Sequence, residues 1–159
     1  MIAVSAAAVS SAAVGGLFYA FSTFVMRGLN RAQPAEAIAA MRGINAEAQT
    51  NVAFLLLFVG STLLALGVGV TAVLGPTRPG AGYVVAGAAL AVVAFAVTMA
   101  FNVPLNSRLD RVDPGASSSA HALREWNAYL TPWTAWNHVR AAAPLVGSVL
   151  MLVGLRHPH

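Results

Sequence analysis

The chain has 159 residues, 58% of them hydrophobic and only 9% charged, with a net charge of +4 and no cysteine. A soluble domain carries roughly 25% charged residues, so this composition excludes an ordinary water-soluble globule; the missing cysteine excludes disulfides, thiolate metal sites and cysteine-attached haem. The arginines are spread along the chain with no basic cluster interleaved with aromatics, which argues against nucleic acid as a partner.

From Ile2 to Met26 the chain carries no charge. About 20 apolar residues cross the hydrocarbon core of a bilayer, so this run predicts a first span. It reads as a span rather than a secretory leader, because no arginine precedes it and Arg27 and Arg31 follow it. Tyr19, Ser22, Thr23 and Met26 share one of its faces, where packing or a cavity lining both fit. Pro34 opens the next segment, Glu36 sits in its first turn, and apolar and polar residues alternate to Ala48. This pattern predicts a short interfacial helix running into the second span. A second span is expected over about 48–74, ended by the turn residues Gly75, Pro76, Pro79 and Gly80, and a third over about 81–106. The polar stretch 106–132 then holds a turn at Asp113, Pro114 and Gly115. A short helix capped by Ser117 to Ser119 follows to about Leu130, stopped by Pro132. The last charge-free run, Ala141 to Leu155, is too short to span. The fourth span is therefore expected over about 134–155, which draws Asn137, His138 and Arg140 to membrane depth.

The expected fold class is all-α: one transmembrane four-helix bundle over residues 1–159, with short interfacial helices in the first and third loops and no internal repeat. Loops 27–47 and 107–133, with Arg140, hold seven of the nine arginines. The positive-inside rule then predicts a multi-pass cell-membrane protein with these loops cytoplasmic and both termini outside.

Polar residues gather at one end of the spans. Glu47 and Asn51 are four apart at the start of the second span, and so are Asn102 and Asn106 around Pro104 at the end of the third. Trp133, Asn137, Arg140 and Pro144 form one stripe on the fourth, with His138 one position off it. Pro144 cannot bond the carbonyl of Arg140. Each residue also has a plainer reading. Asparagines cap helices or join them, Arg140 can snorkel to the headgroups, the three tryptophans fit an interfacial belt, and His121 with Glu125 fits a solvated pair. As a group they point to a site, because ionisable residues inside a membrane are costly. Glu47 is the expected charge partner of Arg140.

The run Ile44-Asn45 through Asn51 to Phe54, the motif Asn102-x-Pro104-x-Asn106-x-x-Leu109 and the stretch Trp133-x-x-x-Asn137-His138-x-Arg140 resemble the DUF1772 family of small four-span membrane proteins. That family includes the anthrone oxygenases of aromatic polyketide pathways, and the resemblance covers about Phe18 to Leu152. It implies a monooxygenase that oxidises a hydrophobic small-molecule substrate such as an anthrone to the quinone with O2. The expected catalytic residues are Glu47 or His138 as base and Arg140 as oxyanion stabiliser; Asn51, Asn102, Asn106, Trp133 and Asn137 are expected to bind substrate. No nucleotide-binding glycine motif is present and no cofactor is expected. The donors His121, His138 and Glu47 leave iron or copper open. A homo-oligomer is compatible with these features. A non-enzymatic carrier of hydrophobic molecules, or an accessory subunit of a complex, is the competing reading.

Overall fold

A computed structural model describes residues 1–75, 78–113 and 118–157. Pro76, Pro114, Gly115 and Ser117, singled out above, lie outside these residues. The described chain is helical, with no strand among the described residues. In chain order the elements are α1 (Ile2–Ala20), a first π-helical turn (Phe21–Val25), α2 (Met26–Leu29), α3 (Pro34–Thr50), α4 (Val52–Leu74), α5 (Ala81–Val97), a second π-helical turn (Thr98–Asn102), α6 (Val103–Asp110) and α7 (Ser119–Leu155). Four continuous helical runs are long and apolar enough to cross a membrane: Ile2–Leu29, Val52–Leu74, Ala81–Asp110 and Ser119–Leu155. The protein is thus an all-α, multi-pass membrane bundle.

The spans pack in a simple circuit. α7 lies against α1 and α5, and α4 completes the ring between them, as expected for antiparallel neighbours joined in chain order. Lipid tails give little hydrophobic drive between helices, so close backbone approach matters. α5 and α7 meet through glycines: a Cβ on Gly87 would lie 2.5 Å from the Gly147 carbonyl oxygen. Gly80, at φ 85°, starts α5, and a Cβ there would lie 2.4 Å from the Gly154 carbonyl. Around this crossing Ala7, Ala8, Ala65, Val68, Ala91 and Met151 form a core of mostly small side chains.

The other end is built differently. α3, α6 and the first third of α7 enclose Met26, Ile38, Met41, Leu109, Trp126, Tyr129 and Trp133. This headpiece carries most of the charge. Within it Arg108 pairs with Glu125 at 3.2 Å and Arg42 approaches Asp110 at 3.9 Å. α3 is amphipathic as expected, opened by Pro34, with the Gln33 N–H donating to the Glu36 carboxylate at 3.2 Å.

Two expectations need correction. The helix expected to stop at Pro132 forms, but it does not stop. Capped by the Ser118 hydroxyl, α7 runs 37 residues through Pro132 and Pro144, so no separate interfacial helix precedes the fourth span. The lost bond at Pro132 leaves one carbonyl unpaired, and packing of Trp126, Tyr129 and Trp133 on the headpiece core outweighs it. The second span does not run on from α3 either. Asn51 is extended (ψ 106°), and its Oδ1 accepts the Phe54 N–H at 2.9 Å, starting a new helix.

Candidate functional site

Where headpiece and span meet, two helical runs, Ile2–Leu29 and Ala81–Asp110, bring polar side chains to α7. The stripe Trp133, Asn137, Arg140 and Pro144 faces inward and is buried. Asn137, fully buried, donates its two amide hydrogens to the Phe18 carbonyl and the Ser22 hydroxyl oxygen, each at 2.8 Å. Its Oδ1 accepts from Arg140 Nη2 at 2.6 Å. Arg140 Nη1 donates to Thr98 Oγ1 at 3.3 Å, and that hydroxyl donates to the Ala94 carbonyl at 2.7 Å. The guanidinium lies between two rings, 4.2 Å from the Phe18 centroid and 5.0 Å from that of Trp133. Cation–π contact of this kind partly replaces water around a desolvated guanidinium.

Arg140 is only 5% exposed and, among the described residues, has no carboxylate within 4.0 Å. A buried charge without a counter-charge is costly, and the protein would lose less by burying an apolar side chain of similar volume. Two buried polar atoms among these residues have no hydrogen-bond partner: Arg140 Nε, a donor, and Asn102 Oδ1, an acceptor. Asn102 is fully buried and gives its amide N–H to the Trp133 carbonyl at 3.2 Å. The arrangement therefore offers a buried cation with an open donor against two aromatic rings, and an open acceptor on Asn102.

A second tier lies toward the headpiece. Asn106 Oδ1 accepts from both Tyr129 OH, at 2.9 Å, and Trp133 Nε1, at 2.8 Å. Trp126 Nε1 donates to Asn30 Oδ1 at 2.8 Å. The rings of Trp126, Tyr129 and Trp133 follow one another at 5.9 and 6.0 Å. Asn106 and Trp133 thus connect the headpiece core to the guanidinium.

The structure does not bring all the expected residues together. Glu47 is exposed, and its carboxylate accepts from Asn51 Nδ2 at 3.1 Å. The expected Glu47–Arg140 pair does not form, because the break at Asn51 leaves Glu47 on the outer face of α3. Asn51 serves as the cap of α4. His138 is exposed on the outer side of α7, and His121 is exposed in the headpiece. Among the described residues no three His, Asp or Glu side chains gather as a metal site would require. Of the face Tyr19, Ser22, Thr23 and Met26, Ser22 and Met26 are buried while Tyr19 is 57% exposed. Sequence reasoning missed Phe18, Thr98 and Tyr129. Their signal was a spacing of four: Val14, Phe18, Ser22 and Met26 on one helix, Ala94, Thr98, Asn102 and Asn106 on the other.

The sequence model of the family described as Anthrone oxygenase matches residues 51–150. The chain belongs to the anthrone oxygenase family. The matched stretch holds Asn102, Asn106, Trp133, Asn137 and Arg140, while Phe18 and Ser22 fall outside it. No curated protein and no solved structure shows significant similarity to the chain. Family membership supports a membrane oxygenase-like function in general terms.

Proposed function

We propose that this protein is a membrane-embedded oxygenase that converts a small, flat, hydrophobic ketone of the anthrone type to the quinone with O2. The observation that carries this reading is the Arg140 guanidinium, buried without a carboxylate between the rings of Phe18 and Trp133. An anthrone is an apolar aromatic whose methylene becomes acidic once the oxygen of its enolate is stabilised. Phe18 and Trp133 give Arg140 an apolar aromatic surround, and Arg140 Nε is the donor for the enolate oxygen. Fixed donors in a water-excluded site act most strongly on charge that develops during reaction. Asn102 Oδ1 accepts from a hydroxyl of the bound molecule.

The chemistry balances with O2 alone. The methylene proton passes to water at the headpiece interface as the ketone enters, since Glu47 and His138 are exposed and away from the buried group. The enolate carbon gives its electron pair to O2, forming a carbon–oxygen bond, and the resulting hydroperoxide is protonated. Loss of the remaining C–H proton with cleavage of the O–O bond releases water and leaves the quinone carbonyl. The anthrone is oxidised and O2 is reduced, one atom entering the product and the other water. The family name and the site chemistry support this reading; six arginines at the headpiece end (27, 31, 42, 108, 111 and 124) support a cytoplasmic headpiece with both termini outside.

The test is oxygen uptake and quinone absorbance with anthrone, using the chain purified in detergent, with Arg140→Met beside it. Removing an oxyanion donor costs about 10²–10³ in rate. Arg140→Met should lose turnover on that scale while melting at or above the parent temperature, because it removes an unpaired buried charge. Full turnover by Arg140→Met would remove the guanidinium from the mechanism. No uptake by the parent chain on any anthrone would favour a carrier or accessory-subunit role.

A further inference from the structure

We propose that Ser22 and Thr98, each carried on a π-helical turn, are positioning residues that hold Asn137 and Arg140 so that Nε is the guanidinium edge offered to an oxyanion. This rests on the functional reading above.

The argument is an account of hydrogen atoms. The Thr98 hydroxyl has one hydrogen, and the Ala94 carbonyl takes it at 2.7 Å. Toward Arg140 that oxygen can only accept, and it does so from Nη1 at 3.3 Å. Asn137 has two amide hydrogens, taken by the Phe18 carbonyl and Ser22 Oγ, both at 2.8 Å. Its Oδ1 must then face Arg140, where it accepts from Nη2 at 2.6 Å. A flipped amide would set NH2 against the cation and oxygen against the Phe18 carbonyl and lose both bonds; only Ser22 keeps its bond, by turning its hydroxyl to donate. With Nη1 and Nη2 each held and the ring planes of Phe18 and Trp133 on either side, the group has little freedom left. Nε is the nitrogen of the group without any partner, while Nη1 and Nη2 each keep a second hydrogen.

The π turns explain how two separate helices meet this need at one level. A straight α-helix turns 100° per residue, so residues four apart drift by about 40° per step. Val14, Phe18, Ser22 and Met26 are nonetheless all buried, and the five residues Phe21–Val25 are π-helical. The wider turn takes up the drift and keeps the four in line. Thr98–Asn102 does the same on the other side of α7, holding Thr98 against Arg140 and Asn102 against the Trp133 carbonyl. Single π turns are rare and occur often at functional sites; here two face the same guanidinium.

The experiment uses the full chain in detergent and 1-hydroxyanthraquinone, a flat ketone that O2 does not consume and whose phenol changes colour on ionisation. Bound to the parent chain, the dye should ionise at lower pH than when free in the same detergent. A lost neutral hydrogen bond corresponds to about 3–10-fold. Thr98→Val and Ser22→Ala should each shrink the midpoint shift and weaken dye binding by about that factor, with melting close to the parent. Thr98→Ser, which keeps the hydroxyl, should restore both. If Thr98→Val does not fold, Ser22→Ala and Thr98→Ser carry the same comparison. An unmoved midpoint in the parent chain overturns the proposal, and so does a full shift in Ser22→Ala or Thr98→Val. Anthrone uptake measured alongside separates the two readings. A dye shift without oxygen uptake removes the oxygenase and keeps the positioning role, while uptake without a dye shift overturns the positioning role alone.

Discussion

The two ends of the bundle are held together by different means. In the headpiece, large side chains fill the core: Trp126, Met26, Ile38, Met41 and Leu109 are all 2% exposed or less. At the far end the helices touch through Gly87, Gly147 and Gly154, with Ala7, Ala8 and Ala65 around them. The headpiece is rich in charge and its core resembles that of a soluble domain, where burial of large apolar surface drives assembly. The far end has little charge to place and no such drive. There, contact between backbones does what large side chains do elsewhere. The Arg140 group lies at the seam, with the Trp133 ring on one side and the rings of Phe18, Phe58 and Phe95 beyond it.

The sharpest way to break this contrast is Trp126→Ala. Truncating a buried tryptophan should cost about 3–5 kcal/mol. The loss should be local, with amide hydrogen exchange rising in α3 and the start of α7 while α4 and α5 keep their protection. Equal loss of protection in α4 and α5 would mean that the two ends form one cooperative unit. Gly87→Val should do the reverse at a smaller cost. Its side chain would meet the Gly147 carbonyl and Met151, and overpacking costs about 1–3 kcal/mol. Protection should fall in α5 and in the second half of α7. Gly60→Val is the control: no atom lies within 4 Å of its Cβ position, so melting in detergent should not move. A smaller effect than at Gly87 is expected at the start of α4. Asn51→Ala removes the cap of α4 and should cost about 1 kcal/mol, and Asn51→Ser should recover most of it. Glu47→Gln should leave anthrone uptake unchanged. A large loss of uptake would return Glu47 to the site.

The far end was the more legible in sequence, because a run without charge has one physical reading at that length. The Trp133, Asn137, Arg140 stripe was legible for a similar reason: spacings of four and three fix a helix face without help from neighbours. The headpiece was harder. Pro132 reads locally as a stop, and only the packing of Trp126 and Tyr129 on α3 shows why the helix continues. Glu47 and Arg140 were paired by charge alone. Their separation follows from one extended residue, Asn51, whose capping role needs the Phe54 N–H in view. The π turns were hidden because a period of 3.6 was assumed throughout. The repeated spacing of four at Phe18, Ser22 and Met26 was present but does not by itself distinguish a wide turn from a drifting face.

The length of α7 has a mechanical consequence. At 1.5 Å per residue, its 37 residues extend about 55 Å, against about 30 Å of hydrocarbon. Trp126 and Arg140 sit on the same rod, about 21 Å apart along its axis. A helix does not stretch, so the headpiece acts as a float and α7 as a fixed sounding line below it. A thinner or thicker bilayer can tilt the bundle or bury more of its far end, but the guanidinium stays at the same distance below the headpiece. The depth of the guanidinium is set by where the charged end of the bundle rests on the water, and only weakly by the thickness of the membrane beneath.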